Sequence, residues 1–400
     1  MVAAALIQFL WAKTAIHYSV FSGPGPYFWR GENPYPLLFV PGNDEQRYLY
    51  SPAFSMFFFH PFTKLPELWG RLAYIGLSLL TFFGGFVYWL RHAEQWHGFK
   101  LSTHPWKNWL AVALAAELFG AIYYCKIELL ELGIFFAILV PLVKGKTALP
   151  FFLMGVLADI KFQTVPAIGL AFIVTAFFGD RPFRSLLCAL LGYLSGEVAV
   201  MVAVTPTTWL ELTRARFATM NYIVETYWTY QYQHLFRTFL EAGVQLNLTQ
   251  VKWISAVLGS VFATGLYLHL SYWRERLGTL ETRSLGYLSA YAFGLTYLLL
   301  FSPMSQSNAY TLTLPLLMLI FLLNPRGTSR ATLALMLLSL FMISGIYSDL
   351  VPLSWRVWAR AWSVKPWGLI PLYLAVIKDT YLTRPLLAPH KAWPLAWTGP

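Results

Sequence analysis

Charge is scarce in this chain. Asp, Glu, Lys and Arg make up 12% of its 400 residues, against roughly 25% in ordinary soluble domains. That scarcity excludes a water-soluble globule with a solvated charged shell. Cysteine is nearly absent as well. Cys125 and Cys188 are the only two, and both lie in or beside apolar runs. They read as small apolar fillers, which excludes a disulfide framework or a thiolate metal site. His17, His60 and His234 are scattered, without the spacing of metal ligands. The chain has no His-x-x-x-His pair, no phosphate-binding Walker loop and no dinucleotide fingerprint. We therefore expect no dedicated metal cage and no cofactor. No internal repeat is visible, which disfavours a two-fold transporter. No small-x-small cleavage pattern follows the first apolar stretch, so no cleavable signal peptide is expected.

What the chain has instead is apolar length. Hydrophobic residues make up 57% of it. A run of about 20 apolar residues crosses a bilayer core of roughly 30 Å. Twelve such runs are expected, near 2–17, 67–90, 108–124, 127–143, 147–160, 162–178, 185–205, 252–272, 285–302, 308–324, 330–347 and 366–380. Several fall short of full length, as broken or protein-buried spans do. The expected fold is an all-α polytopic membrane protein, one domain over residues 1–400. Short surface helices are expected near 53–67, where Pro52, Pro61 and Pro66 break an apolar run.

Charge placement orients the spans. Short connections carry Arg91, Lys100, Lys107, Lys144, Lys146, Arg181, Arg184, Arg274, Arg276, Arg283, Arg326 and Arg330. With twelve spans these share one side, which the positive-inside rule makes cytoplasmic. The longer connections at 18–66, 206–251 and 348–365 then face outward. The net charge of +11 reads as a topology signal. It does not predict nucleic-acid binding, because no basic patch accompanies a recognition fold. The expected location is the bacterial inner membrane, with multiple passes through it.

Polar chemistry collects in the outer connections. The first carries Arg30, Glu32, Asp44, Glu45 and Arg47 among aromatic rings, prolines and glycines. Two readings stand for this mixture. Rings and prolines anchor a membrane boundary, and acidic residues sit in solvated turns. Alternatively, rings pack on sugar faces, guanidinium groups pair with phosphate oxygens, and a carboxylate takes a hydroxyl proton. Asp159 and Lys161 interrupt an apolar region near the outer face, where ions are costly. They read as a structural pair with each other, as side chains snorkelling to the interface, or as a phosphate contact through Lys161. Glu117 and Glu197 stand within spans as further candidates, equally read as packed against a neighbouring helix. The second outer connection holds Arg214, Arg216, Glu225, His234, Arg237 and Glu241, either on an interfacial helix or as phosphate and glycan contacts. Asn247-Leu-Thr249 matches a three-residue glycosylation signal. The turn from Phe301 through Ser302, Ser305 and Asn308 to Tyr310 presents hydroxyls and amides that suit sugar or phosphate oxygens. Arg356 and Arg360, four apart, share a face if helical.

Several of these elements resemble those of polyprenyl-phosphate-dependent glycosyltransferases of the GT-C type, family 87, which contains polytopic mannosyltransferases. Gly31-Glu-Asn-Pro-Tyr35 matches the family's Gly-x-Asn-Pro-Tyr element. Tyr48-Leu-Tyr50-Ser-Pro52 resembles its Tyr-x-Tyr-x-Pro step, Lys161–Pro166 its Lys-x-x-x-x-Pro turn, and Ser302–Ser305 its Ser-Pro-x-Ser turn. The resemblance covers about residues 14–345. Two positions depart from it. The family's catalytic Asp falls at His17 here, and the His expected after Ser305 is Asn308.

The resemblance implies transfer of a hexose, with mannose as the expected sugar, from a polyprenyl phosphate to a lipid or glycan hydroxyl. The reaction is placed on the extracytoplasmic side, with inversion. Asp44 is the expected base, with His17 and Glu45 as the other candidates. Arg30, Glu32, Asn33, Tyr35, Arg47, Tyr48, Tyr50, Lys161, Ser302, Ser305, Asn308 and Tyr310 are the expected substrate contacts. A transporter or lipid flippase would use the same spans, and an inactive scaffold the same loops. The gathering of charged and aromatic groups on one side argues against a route through the membrane.

Overall fold

A computed structural model of the chain describes residues 16–39, 47–98, 100–104, 107–108, 118, 121–122, 125–227, 234–302, 310–324, 329–347 and 351–383. Helices dominate these residues, and no strand occurs among them. Two short helices, α1 (Ile16–Ser22) and α2 (Gly25–Trp29), open the first connection. A π-helix over Phe54–Phe59 runs into α3 (His60–Thr63), as the prolines around this apolar run led us to expect. The bundle follows: α4 (Glu67–His97), α5 (Glu128–Val143), α6 (Ala148–Ile160), α7 (Val165–Phe177), α8 (Pro182–Val204), α9 (Pro206–Tyr227), α10 (Leu235–Glu241), α11 (Leu248–Arg274), α12 (Thr279–Phe301), α13 (Leu314–Leu323), α14 (Arg330–Ile343), α15 (Leu353–Ala361), α16 (Val364–Trp367) and α17 (Leu369–Lys378).

Among the described residues, five helices are long and apolar enough to cross a membrane: α4, α8, α11, α12 and the stretch from α14 through Tyr347. Three shorter apolar helices accompany them, Ala148–Ile160, Val165–Phe177 and Tyr310–Leu323. The chain is thus all-α and polytopic, with five full-length candidates where twelve spans were expected. Residues 1–15 and 109–117, which carry most of two expected spans, lie outside the described residues.

Local chemistry explains where helix edges depart from the hydropathy reading. Helix α4 runs past residue 90 to His97, and Gly98 ends it in a left-handed conformation at φ 63°. Helix α8 starts at Pro182, a residue that suits the first turn because its missing N–H is not needed there. Helix α11 starts at Leu248 because Asn247 and Gln250 form a reciprocal capping box. The Asn of the Asn-Leu-Thr signal therefore serves as a helix cap.

Helix α12 is the centre of the bundle. Of its most apolar stretch 89% is buried, against 17% for α11. Helices α8 and α11 instead turn Phe183, Val202, Trp253 and Val257 outward, as lipid-facing helices do. Neighbouring helices approach closely where side chains vanish. A Cβ on Gly155 of α6 would lie 1.9 Å from the Ala189 carbonyl oxygen of α8, and one on Gly85 of α4 would lie 2.0 Å from the Gly133 carbonyl oxygen of α5. Small residues at such crossings let van der Waals contact drive association in lipid.

Side-chain contacts between helix ends sort the connections to two ends of the bundle. At one end Arg283 Nη2 meets Asp180 Oδ1 at 2.9 Å, and Asp379 accepts from Asn324 at 2.7 Å and Thr332 at 2.8 Å. Lys144, Lys146, Arg181 and Arg184 gather there too. At the other end lie the first connection, α9, α10 and α15, together with Glu128, Asp159 and Glu197. Arg356 and Arg360 do share one short helix, α15.

Candidate functional site

The first connection is held by its aromatic residues. Gly31 takes φ 70°, a left-handed conformation that suits glycine. The Asn33 side-chain oxygen then accepts the Tyr35 N–H at 3.1 Å, closing an Asx turn ahead of Pro34. This turn seats Tyr35 in the interior. Its hydroxyl donates to the Tyr50 carbonyl at 3.1 Å, and Tyr48 donates to the Ser51 carbonyl at 2.5 Å. Rings pack in a chain, Phe28 to Tyr35 at 5.5 Å, Tyr35 to Tyr48 at 5.8 Å and Tyr48 to Tyr50 at 5.8 Å. Burial pushes all three phenols above their ordinary range, so they stay neutral. Arg47 donates to the Pro36 carbonyl at 3.1 Å and lies over the Tyr222 ring at 5.3 Å, tying the connection to α9.

Beneath this connection lie two buried ion triads. In the first, Lys161 Nζ stands 2.9 Å from Glu128 Oε1 and 3.7 Å from Glu131 Oε2. In the second, Arg216 Nη1 stands 3.6 Å from both Asp159 Oδ1 and Glu197 Oε1. Arg216 Nη2 also donates to the Asp159 carbonyl at 2.8 Å, and the Trp209 indole donates to Glu197 Oε2 at 2.6 Å. Gly196 makes room for the Asp159 carboxylate, since a Cβ there would lie 2.2 Å from Asp159 Oδ2. Within each triad two carboxylates share one cation. Buried charges persist only when paired and hydrogen-bonded, so the triads lock α5 to α6 and join α6 and α8 to α9. The phenol of Tyr35 lies within electrostatic reach of the Arg216 triad, and that of Tyr50 within reach of the Lys161 triad.

The expected Asp159–Lys161 pair is corrected by this geometry. Lys161 leaves the end of α6 in an extended conformation, at φ −139° and ψ 99°. That turns it toward α5, while Asp159 on the last helical turn faces α8 and α9. Glu197, a candidate from the sequence, is buried, with Arg216 and the Trp209 indole as its partners. Glu128 and Glu131 were not singled out. Their signal was available: two carboxylates three positions apart share one helix face, at the head of an apolar run where an ion is costly.

Other expected site residues stand elsewhere. Arg30 and Glu32 pair with each other at 2.7 Å on the exposed surface. The Ser302 N–H donates to the Leu298 carbonyl at 2.9 Å, finishing α12. Tyr310 is buried, with Lys365 Nζ over its ring at 5.3 Å and over the Tyr347 ring at 4.9 Å. Asp44, Glu45, Ser305 and Asn308 lie outside the described residues, as do Glu117 and the side chain of His17. Among the described residues, no three His, Cys, Asp or Glu side chains converge as metal ligands do.

No curated protein and no solved structure matches the chain. The model of glycosyltransferase family 87 matches residues 48–303, a stretch that contains the π-helix, both triads and helices α4 to α12. That match covers well over half of the chain, and the chain belongs to glycosyltransferase family 87.

Proposed function

We propose that this chain moves a hexose, with mannose first among the candidates, from a polyprenyl-phosphate donor to a hydroxyl of a lipid or glycan. The reaction takes place on the extracytoplasmic side of a bacterial inner membrane, in a fold of twelve crossings, and inverts the anomeric centre. One observation carries this reading: in a family 87 chain, two buried ion triads lie beneath the first connection, which carries carboxylates, guanidinium groups and aromatic rings.

The chemistry follows from the leaving group. A lipid phosphate departs readily, so the protein's task is to hold it, to orient the sugar and to take one proton. The acceptor oxygen attacks the anomeric carbon while the bond from that carbon to the phosphate oxygen breaks. The phosphate leaves with the bonding electrons, and the acceptor proton passes to Asp44, with His17 and Glu45 as the other bases in reach of the same loop. Lys161, Arg47 and the hydroxyls of Ser302 and Ser305 steady the departing charge. Arg30, Glu32, Asn33, Tyr35, Tyr48, Tyr50, Asn308 and Tyr310 shape the sugar and acceptor space.

Proteoliposomes carrying a labelled isoprenoid-phosphate hexose and membrane lipids test the reading. Cleavage of the donor to isoprenoid phosphate, with the label on an acceptor, is the expected result. Movement of intact donor between leaflets without cleavage would identify a flippase instead.

A further inference from the structure

The end of the bundle opposite the first connection carries a cavity of about 490 Å3. It opens between the turn from α5 to α6 and the turn from α7 to α8. Lys146, Arg181 and Arg184 line it, and all three are exposed. The one carboxylate on its wall, Asp180, is already matched by Arg283 at 2.9 Å. Among the described residues no carboxylate pairs with Lys146, Arg181 or Arg184, so the lining presents three positive charges. Arg181 takes φ 53°, a conformation that residues with a side chain seldom adopt. Observed strain of this kind concentrates at binding sites.

Two further features bear on what the cavity takes. Helices α6 and α8 both begin on its wall, and neither start has a side-chain cap. Their free N–H groups add partial positive charge to that of the three cations. Leu149, on the cavity wall, is 65% exposed, and Phe183, between Arg181 and Arg184 in the chain, is 80% exposed. These apolar side chains belong against acyl chains, so a basic cavity and an apolar rim stand at the depth where a phospholipid changes from headgroup to tail.

We propose that this cavity binds the phosphate of an anionic phospholipid from the leaflet opposite the reaction site. A lipid fits better than a free phosphate because only a lipid uses the Leu149 and Phe183 rim. Basic pockets between spanning helices are suited to such headgroups. The site lies away from both ion triads and does not depend on the proposed sugar transfer.

Native mass spectrometry of the full-length protein, released from nanodiscs of mixed phosphatidylglycerol and phosphatidylcholine, tests this. The unaltered protein is expected to retain phosphatidylglycerol in preference to phosphatidylcholine. Arg184→Gln is expected to lower that preference by roughly fivefold, the effect of one basic side chain near an anionic surface. The combined Lys146→Gln, Arg181→Asn and Arg184→Gln variant should lose it, with Asn chosen because it tolerates positive φ. Arg276→Gln, on the same face but outside the cavity, should leave it unchanged. Equal retention of the two lipids by the unaltered protein would overturn the proposal. So would an unchanged preference in Arg184→Gln, a variant that still decides the matter if the triple one fails to fold. Thermal stabilisation by millimolar inorganic phosphate as strong as that by phosphatidylglycerol would also overturn it, by showing a site for free anions.

Discussion

Arg216 grips Asp159 at two points: Nη1 stands 3.6 Å from the carboxylate oxygen Oδ1, and Nη2 donates to the Asp159 carbonyl at 2.8 Å. The contact joins helix α9 to the last turn of α6, 57 positions earlier in the chain. Both side chains are almost wholly buried. Removing the cation leaves Asp159 and Glu197 buried and uncompensated. Loss of one partner from a buried pair typically costs about 3–5 kcal/mol. Arg216→Met should therefore lower the melting temperature in detergent markedly, while Arg214→Met, at an exposed position of the same helix, should leave it almost unchanged. Equal melting of the two variants would remove the triad from the account.

Lys161 has two carboxylates for partners, and this separates its structural part from its part in binding. Lys161→Met should destabilise the fold by removing the cation that Glu128 and Glu131 share. Adding Glu128→Gln should recover much of that stability, because the two changes share one interaction. Donor affinity is expected to fall in both variants, by about 2 kcal/mol or more for a buried charged contact to phosphate. Affinity for an isoprenoid-phosphate hexose that recovers along with stability would make Lys161 a purely structural residue.

Helix packing makes a prediction independent of chemistry. A Cβ at Gly155 would meet the Ala189 carbonyl at 1.9 Å and the Tyr193 N at 2.9 Å, both backbone atoms that cannot rotate away, whereas a Cβ at Gly76 meets nothing within 4 Å. Gly155→Ala should cost about 1–3 kcal/mol by overpacking. Gly76→Ala should be neutral, or stabilising by up to roughly 1 kcal/mol through helix propensity. Denaturation of the two variants side by side would refute the α6–α8 packing if they proved equally stable.

Much of the fold was legible because apolar runs and prolines mark helix positions directly. The expected runs at 127–143 and 147–160 fall within a residue or so of α5 and α6. Of the site, the sequence announced which ions were out of place, Asp159, Lys161 and Glu197, because charge in an apolar run stands out. It did not announce their partners. Arg216 lies 57 positions from Asp159, and Glu128 lies 33 positions before Lys161, so the pairings depend on how four helices meet. Proximity in sequence suggested the wrong pair, since one extended residue at Lys161 sends its side chain to a different neighbour. The first connection was legible as a mixture of rings, prolines and charged groups. Its seating of Tyr35 and Tyr48 in the interior followed only from the Asx turn at Asn33.

The orientation rests on charge and can be checked by labelling. Glu32→Cys should react with a membrane-impermeant maleimide added outside, and Arg276→Cys only after the membrane is opened. Both positions are exposed, so access to each depends on the side it faces. Outside labelling at residues 274–283 would invert the protein and place the two triads in the cytoplasmic half.

Sugar transfer itself is the most direct measurement. Purified protein, a labelled hexose on an isoprenoid phosphate and a membrane-lipid acceptor pool are incubated together, and products are identified by mass spectrometry. The account predicts a hexosylated acceptor of inverted configuration. Asp44→Asn should lose turnover while retaining donor affinity, as loss of an interaction made only in the transition state does, and His17→Gln should lose less. No product from any isoprenoid-phosphate hexose with the unaltered, folded protein would contradict the account, and the departures at His17 and Asn308 would then mark a family member that has lost transfer.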